Sequence, residues 1–96
     1  MTAKELEQTV NHHAPPAGLP PLVEAMWWQA HGDWEKAHLM AQDVPEAAGA
    51  WVHAYLHRAE GEPGNAAYWY EQAGRPMAQS SLQEEWFGIV RALLSP

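Results

Sequence analysis

Apolar residues along this chain fall at helical spacing in a series of short blocks, and proline or glycine punctuates the boundaries between them. Thr2 with Glu5 forms a capping-box pattern, which predicts a first helix from Ala3 to about His12 within an N-terminal segment 1–13. The following stretch, 14–21, holds Pro15, Pro16, Pro20 and Pro21, so it reads as an extended tether. Leu22 to His31 is then apolar on a helical period. Gly32-Asp33 stops that helix and caps the next, Trp34 to Gln42, so 22–44 forms a first helical pair. Pro45-Glu46 opens a longer helix to about Glu60, Gly61 closes it, and Pro63-Gly64-Asn65 leads into a helix ending near Ala73-Gly74. Residues 45–74 are therefore a second pair. Ser81 with Glu84 caps a last helix, 81–94, whose apolar side carries Trp86, Phe87, Ile89, Val90, Leu93 and Leu94.

The two pairs repeat. A shift of 29 positions lays Val23 on Val52, Ala25 on Ala54, Ala30 on Ala59, Gly32 on Gly61 and Ala37 on Ala66. Each second helix presents one stripe at i, i+3, i+4 and i+7: Ala37, Met40, Ala41 and Val44 in one, Ala66, Trp69, Tyr70 and Ala73 in the other. A fixed period of tens of residues marks stacked helix pairs.

The segment Trp28 to Ala37 resembles the turn of a tetratricopeptide repeat, with Gly32, Asp33, Trp34 and Ala37 at the motif positions. Gly61 and Ala66 match it in the second pair, where Pro63-Gly64 replace the usual aromatic. The run Trp51 to Arg58 together with Asn65 to Tyr70 also looks like a group of small uncharacterised proteins with tetratricopeptide-like helices. The resemblance implies an all-α fold of two stacked tetratricopeptide-like hairpins, flanked by the N-terminal helix and closed by the C-terminal one. It implies no activity.

Composition narrows the function. The 96 residues suffice for one domain, and the absence of cysteine excludes disulfides, thiolate metal sites and thiol nucleophiles. A net charge of −7 repels nucleic acid and anionic membrane, which leaves protein or peptide partners, including a second copy in a homodimer. The charged start, Met1 to Glu7, is unlike a signal peptide, and no apolar run approaches the ~20 residues of a bilayer span; a cytoplasmic protein is expected. No serine sits in a nucleophile elbow and the glycines read as helix terminators, so the chain reads as a non-enzyme without a cofactor.

Two constellations remain. His53 and His57 lie one helical turn apart, the spacing at which two imidazoles share a metal ion, and a helical wheel adds Glu60 to the same stripe. The 29-residue shift sets Glu24 and His31 beside them as further ligands. The run His53-Ala54-Tyr55-Leu56-His57 lacks the catalytic glutamate of the zinc-peptidase motif, so that motif is excluded. The second constellation is a groove along the first helices of both pairs, lined by Met26, Trp28, Gln29, Trp51, Tyr55 and Arg58. These support two functional expectations: a helical scaffold that binds a protein or peptide or itself, and, as the alternative, a protein or enzyme that holds zinc or another divalent transition metal at His53, His57 and Glu60. Tyr68, Trp69 and Tyr70 cannot all face inward, which leaves Tyr68 to meet the terminal helix or another subunit.

Overall fold

The structure is a computed structural model that describes residues 1–95. Its elements are α1 (Ala3–Glu7), α2 (Pro21–His31), α3 (Trp34–Gln42), α4 (Ala47–Ala59), α5 (Pro63–Ala73) and α6 (Leu82–Leu94), with no strand among the described residues. None of these helices is long and apolar enough to cross a membrane.

Local chemistry accounts for the helix ends. Asp33 accepts from the Lys36 amide at the start of α3, and Ser81 and Glu84 form a reciprocal capping box at the start of α6. Gly32 (φ 112°) and Gly61 (φ 77°) carry the left-handed turns that reverse the chain between α2 and α3 and between α4 and α5, a conformation costly for residues with a Cβ.

The helix expected over Ala3–His12 ends at Glu7. Beyond it the backbone closes i→i+3 turns, such as Thr9 N–H to the Leu6 carbonyl, because its polar groups are drawn to other elements. Trp27 Nε1–H donates to Thr9 Oγ1 at 2.9 Å, and His31 Nδ1–H donates to the Val10 carbonyl at 2.7 Å.

Consecutive helices pack as neighbours: α2 with α3, α3 with α4, and α4 with α5. The last helix, α6, lies across α1, α2 and α4. Val23, Ala25, Met26 and Trp27 of α2, Val52 and Leu56 of α4, and Ile89 and Val90 of α6 form a fully buried core between these layers. Trp86 Nε1–H donates to the Met26 carbonyl at 3.0 Å and ties α6 to α2. A second clamp joins α6 to the second pair: buried Glu85 accepts from Arg58 Nη1 at 2.7 Å and from the Tyr70 hydroxyl, while Arg58 Nη2 reaches the Ser80 carbonyl. Burial and the adjoining Glu85 raise the Tyr70 hydroxyl above the ordinary phenol range, so it acts as a donor.

This placement of α6 corrects the groove expectation for two of its residues. Met26 and Tyr55 are buried, at 0% and 3% exposure, because the C-terminal helix fills the face on which a partner was expected to lie. Arg58 is consumed by Glu85, Trp51 is half-buried beneath the Arg75 guanidinium at 3.4 Å, and Trp28 lies under Lys36 Nζ at 4.1 Å. Gln29 is half-buried and its Oε1 has no hydrogen-bond partner.

Candidate metal centre

The junction between the two helical pairs gathers three histidines. His53 and His57 stand on α4, one turn apart. His38 faces them from α3 because α3, the second helix of the first pair, packs on the first helix of the second pair. One ring nitrogen from each of His38, His53 and His57 can be chosen so that all three lie within 4.8 Å of one another. His53 is 6% exposed and the other two are half-buried, so the cluster is recessed but reachable.

Aromatic rings hold the imidazoles in place. Trp69 of α5 stacks on His53 with centroids 3.9 Å apart, and Trp34 stacks on His38 at 4.8 Å. Trp34 is itself fixed, since its Nε1–H donates to the Leu56 carbonyl at 2.7 Å. His38 meets His53 edge to face at 4.4 Å, and His53 lies parallel to His57 at 5.0 Å.

The polar partner of the cluster is Glu62, on the turn between α4 and α5. His57 Nδ1 lies 2.8 Å from Glu62 Oε1. An ionised carboxylate only accepts, so Nδ1 carries the hydrogen, and in the neutral imidazole the lone pair is then on Nε2. A carboxylate behind a histidine, fixing its tautomer and orienting the ring, is the usual outer support of a metal-binding imidazole.

Burial favours the neutral form of two of the three imidazoles, His53 and His38. Burial, with the neighbouring His38 and His57 acting in the same sense, lowers the His53 pKa to about 4. His38 is also lowered, first by burial and then by His57, with Glu62 opposing. Neutral imidazole is the form that ligates a metal, so at His53 and His38 the environment reduces proton competition.

The other residues marked as ligands in the sequence lie elsewhere. Glu60 is exposed at the C-cap of α4 and outside the group. Glu24 accepts from Trp28 Nε1–H at 3.1 Å, and His31 is held by the Val10 carbonyl and stacks on Trp27 at 4.7 Å. Both are engaged by α2 and the N-terminal segment and lie outside the group of three imidazoles. The 29-residue shift compares first helices with each other and so does not reach His38, which stands on a second helix. The contact that matters is between successive helices, and that adjacency was the available signal.

No family model, curated protein or solved structure matches this chain.

Proposed function

We propose that this chain binds a divalent transition metal through His38, His53 and His57. The observation that carries the reading is the convergence of three imidazole nitrogens, one of them oriented by a carboxylate. Three neutral nitrogen donors suit zinc, copper, nickel or cobalt and disfavour magnesium and calcium, which want oxygen. At ligand bonds of about 2.0–2.1 Å, tetrahedral nitrogens sit roughly 3.4 Å apart, so the rings close in by small rotations, His53 and His57 leaving their parallel stack. A three-histidine set leaves one coordination position, and a metal held there supplies Lewis-acid chemistry to whatever takes that position.

The supporting experiment is calorimetric titration of zinc into protein carrying His12→Ala and His13→Ala, which removes the adjacent pair near the tether. One equivalent binds, and His38→Ala or His53→Ala abolishes the heat. Unchanged uptake in both variants would overturn the reading.

A further inference from the structure

The α1–α6 side of the molecule carries a cavity that the histidine cluster does not share. This cavity, about 640 Å³, opens between the N-terminal segment and the end of α6, within the range of roughly 300–1,000 Å³ typical of small-molecule sites. Met1, Ala3, Phe87 and Leu94 give it an apolar floor, and Lys4 and Arg91 stand exposed at its rim.

The rim charge is what singles this cavity out. The chain has five basic side chains in a net charge of −7. Arg58 is paired with Glu85, and Lys36 and Arg75 lie over Trp28 and Trp51. Lys4 and Arg91 make no ion pair or cation–π contact among the described residues, and both line the same apolar cavity. Two unengaged cations over an apolar hollow complement a molecule with one anionic end and a hydrocarbon body. Arg91 offers the forked donor pair that a carboxylate takes in bidentate fashion.

We infer that the α1–α6 cavity is a binding site for a monomeric anionic amphiphile of the long-chain carboxylate class, with the alkyl chain against Phe87 and Leu94 and the carboxylate between Lys4 and Arg91. An anionic lipid bilayer is disfavoured as the source of that chemistry, because the protein's overall negative charge opposes approach to such a surface.

The test is titration of tetradecanoate, below its micelle concentration, into the intact protein, with tetradecanol and anionic vesicles as separate arms. Saturable binding at one equivalent is expected, weakened at least tenfold in Lys4→Ala/Arg91→Ala. Both substituted residues are exposed, and an unchanged melting temperature confirms that the variant folds. Shortening the chain by two methylenes weakens binding by roughly tenfold. Absence of saturable binding, equal affinity for tetradecanol, indifference to the Lys4/Arg91 substitutions, or binding to vesicles alone would each overturn the inference.

Discussion

His57 Nδ1 and Glu62 Oε1 lie 2.8 Å apart, one on α4 and the other just beyond the Gly61 turn. The turn that reverses the chain therefore also sets the tautomer of a proposed ligand. Removing the charge but keeping the shape isolates that role. Glu62→Gln is expected to weaken zinc binding by about 10- to 100-fold while leaving the helical content unchanged, measured by competition with a chromophoric chelator. Equal affinity in the two proteins would show that Glu62 only decorates the surface.

The buried His53 makes metal-free stability depend on pH. Its folded pKa is about 4 against 6.5 for the free side chain, so above pH 6.5 neither state is protonated there and the group contributes no slope. As pH falls below 6.5 the unfolded chain takes up a proton that the folded chain refuses, and stability drops until the folded pKa near 4 is reached. His38, lowered for the same first reason, adds to the effect. Urea midpoints are expected to correspond to a loss of order 1–2 kcal/mol between pH 7 and pH 5. In His53→Phe, which keeps a ring against Trp69, most of that loss disappears. An unchanged pH dependence in this variant would contradict the assignment.

The Arg58–Glu85–Tyr70 clamp ties α6 to α4 and to the Tyr70 side chain of α5. Glu85 is 7% exposed, so its removal leaves a guanidinium and a buried hydroxyl without their acceptor. Glu85→Ala is expected to cost about 2–3 kcal/mol in chemical denaturation, and Tyr70→Phe about 1 kcal/mol. The double variant is expected to cost less than the sum, because both substitutions break the same contact.

Gly49 lies under the α3–α4 connection, where a Cβ would overlap the Val44 carbonyl oxygen. Gly49→Ala therefore pushes the connection off α4 and shifts His38 relative to His53. A fall in thermal stability of about 1–3 kcal/mol, accompanied by weaker zinc binding, is the expected outcome in paired melting and titration experiments.

Much of the architecture was legible because its signals are local. Gly32, Gly61, the Asp33 cap and the Ser81/Glu84 capping box all act within a few residues, and the observed turns and helix starts coincide with them. The local pattern predicts a longer first helix than the structure has because what ends it is remote: Trp27 and His31 take hold of Thr9 and Val10 from another element. The same divide runs through the candidate site. His53 and His57 could be paired by spacing along one helix, whereas His38, Glu62 and Trp69 join them only through packing between helices and a turn. Glu60 was drawn into the stripe by an ideal wheel, but α4 ends at Ala59 and leaves it at the exposed cap. The groove residues Met26 and Tyr55 were misplaced for a related reason, since periodicity shows an apolar face without showing that α6 covers it.

The most direct test of the metal reading is to locate the ion. In crystals of the His12→Ala/His13→Ala protein grown with one equivalent of zinc, anomalous diffraction at the zinc edge is predicted to give one peak between α3 and α4. That peak lies about 2.0–2.1 Å from a nitrogen of each of His38, His53 and His57, with Glu62 still bonded to His57 Nδ1. A peak at any other group of side chains, or none at full zinc occupancy in solution, would contradict the account.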